Sequence, residues 1–109
     1  MKFPDSIKIG AKTYELVVDQ KNQRLHEHCN EFGHIDYDMR VISISTKFPN
    51  EQKLDSLVHE VVHGIGRHME LDTEWGEKTE NYVSRIANGL NMVLRDNPEL
   101  LKMLMKEMK

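Results

Sequence analysis

The segment His59-Glu60-Val61-Val62-His63 constrains this chain more than any other. Two imidazoles four residues apart reach one cation readily when the backbone between them is helical, because the helical repeat sets positions i and i+4 about 40° apart around the axis. The pattern HExxH therefore predicts a helix, half of a zinc site on one of its flanks, and in Glu60 a carboxylate that points elsewhere and stays available for proton transfer. With six histidines in 109 residues, chance produces such a match about 0.03 times per chain.

The flanking residues support the helix. Phe48-Pro49-Asn50 announces its start, with Asn50 expected as N-cap and Glu51 complementing the dipole in the first turn. Leu54, Leu57, Val58, Val61, Val62 and Ile65 recur at spacings of three and four and form the expected core stripe. With Leu54 at 0°, the stripe centres near about 10° and the two histidines fall at about 140° and 180°, on a flank facing a cleft or water. Gly64 and Gly66 weaken the helix by about 1 kcal/mol each relative to alanine; close approach of other elements is their expected use.

Ahead of this helix, Ile7 and Ile9, then Tyr14, Leu16 and Val18, alternate with polar neighbours around Gly10-Ala11-Lys12 and predict a β-hairpin. From Asp19 to Glu31 the chain is polar, with Leu25 its lone large aliphatic, and reads as a loop or short irregular helix. Phe32 to Tyr37 and Val41 to Ser45 predict a second hairpin turning at Asp38-Met39-Arg40. Val41–Ser45 is the expected sheet edge beside the cleft, open to an added peptide strand.

After the HExxH helix, Met69 to Gly76 reads as a linker and Thr79 to Arg95 as a helix with the stripe Val83, Ile86, Ala87, Leu90, Val93 and Leu94. Asn97-Pro98-Glu99 starts a third helix with Pro at N1, its buried side expected at Leu101, Leu104, Met105 and Met108. The methionines near the C-terminus read as packing or a self-association face. The expected fold class is α+β, a small antiparallel sheet of about four strands packed on the HExxH helix, a second Glu-bearing helix and a C-terminal helix, as one domain over residues 1–109.

Composition narrows the chemistry. Cys29 is the only cysteine, so an internal disulfide and a Cys-rich zinc knuckle are excluded, and a metal must rely on His and carboxylate, a donor set typical of catalytic zinc. His26, His28 and Cys29 lack the spacing of a second metal site and read as loop composition. A net charge of −3 offers no basic field for nucleic acid. The N-terminus has no apolar leader and no run approaches the roughly 18 apolar residues of a membrane span, so a soluble, cytoplasmic protein without a membrane partner is expected.

Zinc in a hydrolytic site takes three protein ligands and water, so a third must come from elsewhere. The completion HExxHxxGxxH holds as far as Gly66, but Met69 stands at its last position and His68 lies one residue early, about 180° from His59. The other completion is a carboxylate from the next helix. Glu80, about 60° from Val83, borders the inward face and is the foremost candidate; Glu77 is second, with Asp72, Glu74 or no third protein ligand behind them.

With these residues the chain resembles the minimal zincin-type, gluzincin-like metallopeptidase proteins of bacteria and their phages, themselves distantly similar to ImmA/IrrE-type peptidases. The likeness runs from about Ile7 to Glu99 and rests on His59, Glu60 and His63, on Glu80-Asn81-Tyr82-Val83 and on Asp96-Asn97-Pro98. It implies His59, His63 and Glu80 as ligands of Zn2+, Glu60 as general base, and hydrolysis of a peptide or protein by metal-activated water. A phage or mobile-element setting, with a host or regulatory protein among the partners, is a further expectation. Candidate donors to the attacked carbonyl are His34, Tyr37, His68, Tyr82 and Arg85, and Asp55 is a candidate to orient the His59 ring. The chain lacks the extra subdomain with which larger zincins grip substrate. The competing expectation is therefore a zinc-binding protein-interaction module with weak or no turnover.

Overall fold

The computed structural model describes residues 2–18 and 32–108. Four strands, β1 (Ser6–Ile9), β2 (Lys12–Val18), β3 (Gly33–Asp36) and β4 (Val41–Ile44), precede the helices α1 (Asn50–His68), α2 (Leu71–Trp75), α3 (Thr79–Asp96) and α4 (Pro98–Glu107). A short 3-10 turn, Gly76–Lys78, joins α2 to α3. The fold class is α+β, as expected. No helix among the described residues is long and apolar enough to cross a membrane.

Both hairpins form: β1 pairs with β2 from Ser6↔Glu15 to Ile9↔Lys12, and β3 with β4 from Gly33↔Ile44 to Asp36↔Val41, each antiparallel. Gly10 closes the first turn at φ +64°, and a Cβ there would run into the His68 ring. Asp36 Oδ1 closes the second by accepting from the backbone N–H of Asp38 and Met39, each at 3.0 Å. The sheet is mixed, not antiparallel throughout, because β2 and β4 pair in parallel and the strand order is β1-β2-β4-β3. Burial explains the order. Val41-Ile42-Ser43-Ile44 hides three of its four residues and suits an inner strand, whereas Gly33-His34-Ile35-Asp36 buries alternate residues and suits an edge. The edge beside the helices is thus β3, and the expected role of Val41–Ser45 as that edge is overturned.

The helix α1 begins at Asn50 itself, with Pro49 in the cap position and no side-chain cap bond. The Pro49 carbonyl accepts from Lys53 N–H at 3.0 Å. The expected single stripe splits in two. Leu57 and Val61 pack on the sheet core of Ile9, Tyr14, Leu16, Ile35, Ile42 and Ile44, whereas Val58 and Val62 pack with Val83, Ala87 and Trp75. Leu54 and Ile65, at the centre of the expected stripe, are exposed. A helix wedged between a sheet and a second helix buries its two flanks, not one face. Gly64 makes the sheet flank close-fitting: a Cβ there would lie 2.5 Å from Ile9 Cδ1 and 3.3 Å from Ile35 Cδ1.

On α3 only Val83 and Ala87 are buried, and Ile86, Leu90 and Val93 are exposed. No residue of α4 is buried, so Leu101, Leu104, Met105 and Met108 do not form the expected inner side. The periodicity of both helices is real, but among the described residues no further layer lies behind it.

Candidate metal centre

His59 and His63 project from the middle of α1, with ring centroids 4.9 Å apart. Their phase of about 40° directs both rings into the angle between α1 and α3. The two helices run antiparallel: His63 faces Glu80 in the first turn of α3, and Asp55, two turns earlier on α1, faces Arg95 near the other end. Glu80 straddles the imidazoles. Its Oε1 lies 2.8 Å from His59 Nε2 and its Oε2 2.7 Å from His63 Nε2. The histidine side chains are 23% and 16% exposed, and that of Glu80 is 68% exposed, so the α1 half of the cluster is embedded and the α3 half borders solvent.

Among the described residues these three are the group of His and acidic side chains whose ligand atoms converge, one from each, all within 4.8 Å of one another. Two imidazole nitrogens and one carboxylate oxygen match the donor set of zinc sites that keep an open position. Bonds of about 2.0–2.2 Å in a tetrahedral site separate neighbouring donor atoms by roughly 3.3–3.6 Å. The two imidazole–Glu80 contacts, at 2.8 and 2.7 Å, fall short of that spacing by less than about 1 Å, and Glu80 is the more exposed partner in both. The residues present fit the ion.

Glu60 turns away from the histidines toward the sheet and is 7% exposed. It lies against β3, where a Cβ on Gly33 would meet Glu60 Cγ at an ordinary contact distance of 3.5 Å. Glu60, the three converging side chains and β3 line one groove of about 540 Å³, within the usual range of small-molecule and peptide pockets. Ser45 N–H donates to the Phe32 carbonyl at 3.0 Å. Antiparallel alternation then makes His34 and Ser43 the next bonded pair and directs the N–H and C=O groups of Gly33 and Ile35 outward, away from β4. Among the described residues no strand pairs with that outer side.

The remaining candidates separate cleanly. His34 and Tyr37 line the groove. His68 packs on the Gly10 turn, Tyr82 tilts against Trp75 at 5.6 Å between centroids, and Arg85 is exposed, none of them at the groove. Glu77 and Glu74 are exposed outside the cluster, and Asp72 accepts from Arg67 Nε–H at 2.8 Å. Asp55 is paired with Arg95 of α3 and not placed as the orienting partner of His59. His26, His28 and Cys29 lie outside the described residues. Burial pushes the Tyr37 hydroxyl up to about 12, against the opposing pull of the Arg67 guanidinium beside it.

Sequence reasoning missed the polar walls. Gln52, Ser56, Ser84 and Asn88 also line the groove. Ser84 and Asn88 follow Glu80 at intervals of four, and Gln52 and Ser56 lead to Glu60 in the same way, so a polar stripe on each helix was the available signal. Comparison of the chain with protein-family models, with curated proteins and with solved structures returned no match.

Proposed function

We propose that this chain is a zinc-dependent metallopeptidase. The observation that carries the reading is the convergence of His59, His63 and Glu80 beside the buried carboxylate of Glu60, in a groove bounded by the β3 edge, with which no strand among the described residues pairs. His59, His63 and Glu80 hold the ion, which when bound supplies Lewis acidity to a carbonyl and to water. Glu60 takes a proton from the attacking water as the oxygen–carbon bond forms, and passes it to the amine nitrogen as the carbon–nitrogen bond breaks. Its burial keeps competing water away from the proton in transit. The outward amide groups of Gly33 and Ile35 bind an extended peptide by its main chain, which sets register with little demand on side-chain identity.

A second reading, a zinc-binding interaction module without turnover, draws support from the exposed apolar residues of α3 and α4, among them Leu90, Leu101 and Leu104. Hydrolysis of pooled unstructured peptides by the zinc-loaded chain and by Glu60→Gln separates the two. The peptidase reading expects turnover by the wild type and a loss of about 10²- to 10⁴-fold in the variant with zinc content unchanged. Equal rates refute the role of Glu60, and no cleavage by either favours the module.

A further inference from the structure

The ring and the hydroxyl of Tyr37 are held by different means. Tyr37 directly follows β3, and alternation from Gly33 and Ile35 turns its side chain toward α1. The Arg67 guanidinium lies 4.1 Å above the ring centroid and is itself tied to Asp72. The ring also packs on the sheet core. The hydroxyl, by contrast, donates to the His63 main-chain carbonyl across 3.4 Å, well beyond the 2.7–2.8 Å typical of a good O–H···O bond. That carbonyl sits within α1, one turn before Arg67, whose N–H serves it in a regular helix. Releasing the hydroxyl therefore costs little and leaves the ring in place.

Resting on the metallopeptidase reading, we propose that Tyr37 donates a hydrogen bond to the carbonyl oxygen of the peptide bond under attack, and that Arg67 is the residue that positions it. Tyr37 lines the same groove as Glu60, His63 and Glu80. A donor fixed in advance where negative charge develops lowers the barrier without reorganising at the moment of reaction. The phenol gives a hydrogen bond and keeps its proton, so the proton balance assigned to Glu60 is unchanged. Arg67, as a cation on the ring face, holds the ring plane. His34, on the opposite face of β3 by the same alternation, is worse aimed.

Tyr37→Phe deletes the hydroxyl and spares the stacked ring. The probe is a set of capped phosphinic tetrapeptides in which –PO₂–CH₂– replaces the central amide, with Ala, Leu, Phe, Lys or Glu beside it, titrated calorimetrically into the zinc-loaded chain. Tyr37→Phe is expected to bind the phosphinates about 10- to 100-fold more weakly than wild type. Amide peptides of the same sequences should bind Glu60→Gln and the double variant Glu60→Gln/Tyr37→Phe within about twofold of each other. Arg67→Met should lose about 3- to 10-fold on the phosphinates, partly restored by Arg67→Lys. Absence of phosphinate binding by wild type overturns the metallopeptidase reading itself. Binding that is equal in wild type and Tyr37→Phe, or a loss equal for phosphinate and amide, overturns this inference alone.

Discussion

The helices α1 and α3 are neighbours of nearly equal length, 19 and 18 residues, with comparable apolar periodicity, yet they live in different surroundings. α1 has the sheet on one flank and α3 on the other, and contributes to both cores. α3 has α1 on one side and exposes Ile86, Leu90 and Val93 on another. The difference divides the candidate centre: the doubly supported helix carries His59, Glu60 and His63, and the singly supported one carries Glu80. The embedded half holds the two imidazoles on one flank of α1, and the solvent-bordering half carries the carboxylate that meets both. Periodicity alone reports which residues want burial. Only the number of packed neighbours decides which of them obtain it.

The sharpest test of this contrast is a pair of truncations. Val83 is fully buried where α3 meets α1, whereas Leu104 on α4 is 38% exposed. Val83→Ala is expected to cost about 2–3 kcal/mol of unfolding free energy in urea, and Leu104→Ala less than about 1. Equal costs would mean that α4 packs against something in solution, such as a second copy.

One substitution made on both helices gives a smaller effect of opposite sign. Gly64→Ala places a methyl group 2.5 Å from Ile9 Cδ1 inside the sheet core, whereas a Cβ at Gly89 meets nothing within 4 Å. Gly64→Ala should destabilise by about 1–2 kcal/mol despite its better helix propensity, and Gly89→Ala should stabilise by about 1. Thermal or urea unfolding reads both; stabilisation by Gly64→Ala would mean that the seam between α1 and the sheet is looser than described.

A third contrast concerns the strand end that α1 grips. Burial raises the Tyr37 hydroxyl from 10.0 to about 12. The native chain therefore holds that proton more tightly than the unfolded chain, so the stabilisation is intact below pH 10 and is lost as pH rises from there to about 12. Wild type should lose more stability across that window than Tyr37→Phe, as followed by denaturant unfolding at stepped pH.

The candidate centre was more legible in the sequence than the fold around it. His59 and His63 are set by helical phase, and Glu80 follows from a second phase argument on α3, so both inferences use distances within single helices. The sheet order depends on how two hairpins dock, a pairing of β2 with β4 across more than twenty residues, which alternation in Val41-Ile42-Ser43-Ile44 does not encode. Continuous burial of that strand was its one signal for an inner position. The stripe on α1 was read as one face because the apolar residues destined for two different neighbours are adjacent around the axis, leaving Leu54 and Ile65 between them. Leu101, Leu104, Met105 and Met108 carried a correct helical pattern and an incorrect burial, since amphipathicity does not say whether a partner is present.

The central claim, that the embedded α1 half and the solvent-bordering α3 half together hold one cation, is tested most directly by the zinc content of the gently purified chain. Elemental analysis should find about one zinc per chain in the wild type, almost none in His59→Ala or His63→Ala, and a partial, readily chelated fraction in Glu80→Ala. A wild-type chain without zinc that also fails to take it up, or one that keeps its full complement after loss of either histidine, would contradict the account.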